Sequence, residues 1–190
     1  MARWEPGARE RLVLAAVDLF TELGYDATTV TQIAERAGVT KSTFFRHFTD
    51  KRELLAAGQQ ALCQLLTEGI AEAPESATPL EAVAAGLERA ASAMGPMNRE
   101  LAPRVQAAIA ANSELQARDA LKSVGLAAAM TDALRTRGVP DSTAHLAGEL
   151  GVLAFIQGYA QWLQAQPDAD LAPYAVAALQ DLRTASQSLT

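Results

Sequence analysis

Residues 29–55 read TVTQIAERAGVTKSTFFRHFTDKRELL, and this stretch decides the fold. Val30, Ile33, Ala34 and Ala37 recur at i, i+3, i+4 and i+7, the period of one buried helical face. Gly38 follows, where a left-handed backbone costs little and a helix can stop. Thr40 carries the hydroxyl that caps a new helix, which should run over about Thr40–Phe48. On that helix Phe44 and Phe48 stand four apart and share a buried face. Lys41, Ser42, Phe45 and Arg46 share a neighbouring, exposed one. Two short helices at a fixed angle, the second turning basic and hydroxyl groups outward, are the arrangement that enters a DNA major groove. Such side chains reach phosphates and base edges.

Charge supports the same division of labour. The 190-residue chain has a net charge of −6, which argues against a general nucleic-acid binder. The average hides a segregation. Residues 1–52 hold eight basic against seven acidic side chains, whereas residues 53–190 hold eight against fifteen. Within 36–52 five basic residues face a single acid, Asp50. An acidic body with a small basic head fits DNA binding confined to one end. The hydrophobic fraction is 49% and the aromatic fraction only 5%, a composition suited to close-packed helices. The single cysteine, Cys63, excludes an internal disulfide and suits a reducing cytosol. No charged leader precedes an apolar run, so a cytoplasmic location is expected. The apolar stretch Leu146–Leu163 is interrupted by Glu149, Gln157 and Gln161 and reads as a buried helix rather than a membrane span.

Helix signals recur along the whole chain and strand alternation does not. A first helix should start near Pro6, bury Leu12, Ala15, Ala16, Leu19, Phe20 and Leu23, and end at Gly24. Thr29 with Gln32 forms a capping box for the second. Asp50 caps a long fourth helix reaching about residue 72, and its free first-turn N–H groups, with Lys51 alongside, should face an anion. Thr78, Pro79 and Glu81 open a fifth that ends near Gly95-Pro96. Asn98 and Ser113 should cap the sixth and seventh, the latter ending at Arg137-Gly138. Asp141 or Ser142 opens the eighth, to about Ala165, and Pro173 a ninth. The expected fold is all-α: a three-helix helix-turn-helix head over residues 1–50, joined by a long helix to a six-helix body over 51–190.

The order Phe20, Gly24-Tyr25, Thr29-Val30, Ile33-Ala34, Ala37-Gly38-Val39, Lys41-Ser42-Thr43, His47-Phe48, Lys51, Leu54-Leu55 resembles the TetR family of bacterial transcriptional regulators, over roughly residues 9–55. The resemblance implies a homodimer that binds a palindromic operator, usually as a repressor, and leaves it when a small molecule enters the C-terminal domain. Carried over by position, Thr29 would touch phosphate. Lys41, Ser42 and Thr43, with Thr40 at their cap, would face bases and backbone, and His47 and Lys51 would contact phosphates. Phe45 departs from the family, which commonly has tyrosine there. The ring is kept, but a phenol hydrogen bond worth roughly 0.5–1.5 kcal/mol is lost, and Arg46 beside it is able to supply a phosphate contact instead.

In the body, Ala144, Ala147, Gly148, Gly151, Ala154 and Gly158 form a small-residue strip at spacings of three and four, which lets another helix approach closely. Of these, Ala147, Gly148, Gly151, Ala154 and Gly158 are the candidate dimer interface. Met94, Met97, Phe155, Tyr159 and Trp162, with Cys63 on the interior side of the fourth helix, are candidates to line an apolar effector pocket. With few charges to place inside, the effector is expected to be small and hydrophobic. His47 and His145 have no neighbours with metal-ligand spacing. Ser142, His145 and Asp141 crowd one helical turn and make no catalytic triad, though Asp141 can pair with His145. No cofactor and no enzymatic activity are expected. The competing readings are a helical carrier or enzyme whose helix-turn-helix is only scaffold, and a regulator without ligand, controlled by a protein partner or through Cys63.

Overall fold

The computed structural model describes residues 7–188, with backbone alone at 55–58, 96, 97, 114 and 118. Among the described residues it is built of helices without strands: α1 (Ala8–Leu23), α2 (Val30–Arg36), α3 (Lys41–His47), α4 (Lys51–Glu72), α5 (Pro79–Ser92), α6 (Pro96–Ala110), α7 (Ser113–Thr136), α8 (Asp141–Gln164) and α9 (Ala172–Gln187). The expected start at Pro6 lies outside the described residues. No described helix is long and apolar enough to cross a membrane.

Local chemistry accounts for most helix ends. The Thr29 hydroxyl accepts from the Gln32 N–H at 3.3 Å, and the Gln32 side-chain oxygen accepts from the Thr29 N–H at 2.8 Å. Thr40 accepts from the Thr43 N–H at 3.1 Å, and Thr78 and Glu81 make a second reciprocal box. Each such cap is worth about 1 kcal/mol. Gly38 has φ +66°, and around it the Val39 N–H reaches the Ala34 carbonyl while the Gly38 N–H reaches that of Glu35. These two bonds close α2 and force the turn into α3. Two caps differ from expectation. Asn98 lies inside α6, its side-chain oxygen accepting from the Gly95 N–H, and α7 is capped by Asn112, which accepts from the Leu115 N–H, rather than by Ser113.

The chain divides into two compact units. One comprises residues 1–59 with 100–120, and the other 60–99 with 121–190. The first is larger than the 1–50 head read from sequence, because the end of α6 and the start of α7 join its core. Ala108 and Leu115 are buried with Leu12, Phe20, Tyr25, Ile33, Phe44, Phe48 and Leu54. Arg104 of α6 pairs with Asp18 of α1 at 2.7 Å. Leu23, expected to complete the buried stripe of α1, is exposed.

In the second unit, Leu62, Leu66 and Ile70 of α4 are buried with Val83 and Leu87 of α5, Met130 and Leu134 of α7 and the inner face of α8. Glycines set the closest approaches. A β-carbon on Gly69 would lie 2.7 Å from the Ala85 carbonyl oxygen, and one on Gly86 2.7 Å from that of Leu66, so α4 and α5 cross backbone to backbone. The small-residue strip of α8 is used in the same way, which corrects the assignment of Ala147, Gly148, Gly151, Ala154 and Gly158 to a partner subunit. All five are buried. A β-carbon on Gly148 would meet Thr131 Oγ1 at 2.5 Å, one on Gly151 would meet Met130 Sδ and Val83 at 2.8 Å, and one on Gly158 would meet Ala175 Cα at 2.5 Å. The strip admits the chain's own α5, α7 and α9. The opposite face of α8 is the exposed apolar one, with Leu146 59%, Leu153 42% and Ile156 50% accessible. Asp141, at the start of α8, is held by Arg135 rather than by His145.

Gly158→Ala should therefore cost more than Gly151→Ala. The first clashes with backbone, which cannot step aside, and the second with side chains, the end of a flexible methionine and a γ-methyl of Val83, which can yield in part. We expect a loss of about 1–3 kcal/mol at Gly158 and a smaller one at Gly151, read as thermal midpoints. Equal midpoints would contradict the packing described.

Candidate nucleic-acid interface

α3 has only seven residues, too few to be stable alone, and its buried side holds it. Phe44 and Phe48 are buried with their rings 5.7 Å apart, and Ile33 and Ala34 of α2 pack into the same core. That anchoring turns the other side outward. Thr29, Thr40, Lys41, Ser42, Arg46 and His47 are exposed, Thr43 is half-buried, and Phe45 is 51% accessible. The structure thus brings the candidate contacts of α3 onto one accessible surface. Phe45 stands edge-on to Phe44 at 5.4 Å, with the Lys41 ammonium 6.0 Å above its ring. Arg46 donates to the Thr43 hydroxyl at 3.1 Å, and the Thr43 and Thr40 hydroxyls are 2.9 Å apart. The outward ridge is a connected set of donors around an exposed aromatic ring.

The basic count of this segment overstates its free charge. Arg36 forms a two-pronged pair with Glu22 at 2.9 and 2.8 Å, and that guanidinium holds the Glu22 carboxyl below its ordinary range. Arg52 pairs with Asp50 at 2.6 Å, which lowers the Asp50 carboxyl in the same way. Lys51 donates to the carbonyls of Tyr25 at 2.6 Å, Thr28 at 3.1 Å and Asp26 at 3.4 Å, and lies 4.2 Å from the Tyr25 ring centroid. An ammonium has three N–H donors, and here three carbonyls take them. Lys41 and Arg46 pair with no carboxylate among the described residues. The anion site expected at the start of α4 is also filled from within: Asp50 accepts from the N–H groups of Arg52 and Glu53, and Glu53 accepts from that of Thr49.

Two arginines outside the motif support it. Arg9 stacks over the Phe48 ring at 5.5 Å, which sets an exposed cation beside the end of α3, and Arg11 donates to the Ala37 carbonyl at 3.1 Å. Neither shows in the sequence, since their partners lie more than two dozen residues away.

The proposed effector-pocket residues come together in part. Phe155 stacks on Tyr159 at 6.0 Å, Trp162 lies tilted against Tyr159 at 5.5 Å, and Met94 packs on the same cluster. The Trp162 N–H donates to the Ala169 carbonyl at 2.6 Å, and the Tyr159 hydroxyl to that of Asn98 at 3.3 Å. Burial raises the Tyr159 phenol above its usual pKa. Cys63 packs on the main core of its unit rather than with Trp162. The Met97 side chain lies outside the described residues. A residue the sequence reading passed over is Arg99. It donates to the Trp162 and Gln166 carbonyls at the end of α8, with its guanidinium 4.5 Å from the Trp162 ring.

Lys51→Ala should destabilise the first unit by about 1.5–3 kcal/mol, the range for hydrogen bonds to a charged group. Lys41→Ala, which removes no carbonyl or carboxylate contact among the described residues, should leave the thermal midpoint unchanged. An unchanged midpoint for Lys51→Ala would show that its carbonyl contacts carry no stability.

Residues 12–57 match the family described as bacterial regulatory proteins, tetR family. The HTH-type transcriptional regulator TcmR of Streptomyces glaucescens is 37% identical over 75 residues, 40% of this chain and 33% of that protein. The HTH-type transcriptional activator FasR of Mycolicibacterium smegmatis is 37% identical over 70 residues, 37% of this chain and 32% of that one. These matches therefore span about a third of the curated relatives' length. Among solved structures, Thermus thermophilus FadR, a TetR-family transcriptional repressor in complex with lauroyl-CoA, aligns with a TM-score of 0.53 at 26% identity, over 90% of this chain and 91% of that one. The anchored helix pair and its outward donor ridge lie within the segment that matches the tetR family of bacterial regulatory proteins, and the helical fold is similar to that of Thermus FadR.

Proposed function

We propose that the chain is a dimeric repressor that binds a palindromic operator through α3 and releases it when a small hydrophobic effector enters the second unit. The observation that carries the reading is the surface of α3. Phe44 and Phe48 anchor it from within, so Lys41, Ser42, Phe45 and Arg46 are held outward together. Of these, Lys41 and Ser42 read base edges, Arg46 contacts phosphate, and Phe45 offers apolar surface to a thymine methyl. The DNA-facing set is Thr29, Thr40, Lys41, Ser42, Thr43, Phe45, Arg46 and His47. Lys51 serves the loop carbonyls first and adds positive potential rather than a direct bond.

Dimerisation uses the outer face of α8. Leu146, Leu153 and Ile156 are exposed at helical spacing, and apolar side chains concentrated on one face mark a surface meant to be covered. Two heads must then span half-sites about 34–36 Å apart or a multiple of that. α4, α6 and α7 each contribute residues to both compact units, so three continuous helices carry a change in the second unit to the first. The aromatic cluster of Phe155, Tyr159 and Trp162 suits an apolar ligand, and the lauroyl-CoA held by Thermus FadR makes a long acyl chain the first compound to test.

The test is fluorescence anisotropy on DNA from the region upstream of the gene, against a scrambled sequence and over a salt series. Specific binding should exceed the control by about a thousandfold or more. Lys41→Ala should lower both affinity and the slope of log K against log salt. Equal, weak binding to both DNAs would remove the regulator reading for that site. Leu153→Glu with Ile156→Glu should reduce the sedimenting mass from twice to once the chain mass of 20.1 kDa without unfolding it.

A thiol-sensing alternative rests on Cys63. Burial raises its pKa above the ordinary thiol value, against a weaker opposing pull from Lys122, so it stays protonated at neutral pH and is a poor nucleophile. Iodoacetamide should alkylate it more slowly than it does free cysteine. Faster alkylation would revive the thiol reading.

A further inference from the structure

A cavity of about 270 Å³ opens within the first unit, lined by Phe20, Leu23, Tyr25, Asp26, Ala108 and Asn112 among others. It lies where the turn after α1 faces the end of α6, and no residue of α3 lines it. Its size is just under the usual lower limit of ligand pockets, about 300 Å³, and suits a molecule with one ring and a short chain. Phe20 and Tyr25 supply aromatic wall, their centroids 5.0 Å apart and tilted by 59°. Leu23 explains itself here: it closes the apolar stripe of α1 yet is left uncovered at this cavity.

The polar side of the cavity is rich in acceptors. α1 and α6 both end at it, and neither has a basic residue in its last turn. A helix C-terminus carries roughly half a negative charge, so two of them converge with no cation of their own. The Asp26 carboxylate adds a full charge at the rim. Its contact within the lining is the Asn112 amide, at a long 3.4 Å, which a better donor can displace. Of the nearby cations, Arg104 pairs with Asp18, while Lys51 holds its ammonium on the carbonyls of Tyr25, Asp26 and Thr28 and so keeps one positive charge beside this turn, spent on the backbone rather than on the Asp26 carboxylate.

We infer that this cavity is a binding site for a small amphiphilic amine, its ammonium on Asp26 and the two helix ends, its apolar body against Phe20, Leu23 and Tyr25. The site is separate from the effector cluster of the second unit. A ligand in it would tie the 24–27 turn, which leads into the Thr29 cap of α2, to the Ala111-Asn112 turn after α6.

The experiment is a titration of the ¹⁵N-labelled full chain with 2-phenylethylamine, with 2-phenylethanol and 3-phenylpropanoate as neutral and anionic controls. The amine should produce saturable shifts in the amides of Gly24, Asp26, Ala27, Ala111 and Asn112 that neither control reproduces. Asp26→Asn, at an exposed position, should raise the amine's Kd by about tenfold or more with the thermal midpoint unchanged. Ala111→Phe should fill the cavity and abolish the shifts. The inference is overturned if no shifts appear at these amides, if the alcohol shifts them equally, or if Asp26→Asn binds the amine as tightly as the parent.

Discussion

The burial of Phe44 is the constraint on which the head depends. A seven-residue helix has no stability of its own, so the direction in which α3 points is set by what its inner side touches. Phe44, with Phe48 behind it, meets Ile33, Ala34 and Leu12 in a closed core. Every outward side chain of α3 inherits its position from that contact. Truncation of either ring would remove several kcal/mol of packing and the geometry of the surface together. The Gly38 turn and the Thr40 cap fix where α3 begins; the phenylalanines fix how it is rotated.

What the sequence disclosed follows a physical boundary. Features that depend on neighbours within a few residues were legible: the Thr29, Thr40 and Thr78 caps, the positive-φ glycines at positions 24, 38 and 138, and the two faces of α3. Features set by distant partners were not. The small strip of α8 announced that some helix would come close, but spacing cannot say whether that helix belongs to the same chain, and it does. The basic count over 36–52 could not show that Glu22, fourteen residues away, holds Arg36, or that Lys51 reaches back across two dozen residues to a loop. The same limit hid Arg9, Arg99 and the share of α6 and α7 in the first unit.

Electrostatics in the head are thus arranged in two layers. One set of charges is closed on itself: Glu22 with Arg36, Asp50 with Arg52, Asp18 with Arg104 and Lys51 with three carbonyls. These fix turns and helix starts; the three ion pairs add little net field, whereas Lys51, held by neutral carbonyls, keeps its positive charge. The other set, Lys41 and Arg46, faces outward on α3. Exposed pairs contribute modest stability, so the closed layer acts mainly to hold geometry while the open one supplies attraction.

The two sides of α8 are subject to unequal mutational freedom. On the inner side Gly148, Gly151 and Gly158 leave no room for a single added carbon, so replacement there is paid in folding itself. On the outer side Leu146, Leu153 and Ile156 extend past the chain's own core and can be exchanged without disturbing it. Drift is therefore channelled to one face of one helix. After a gene duplication, two copies are free to diverge on that face while keeping the same fold.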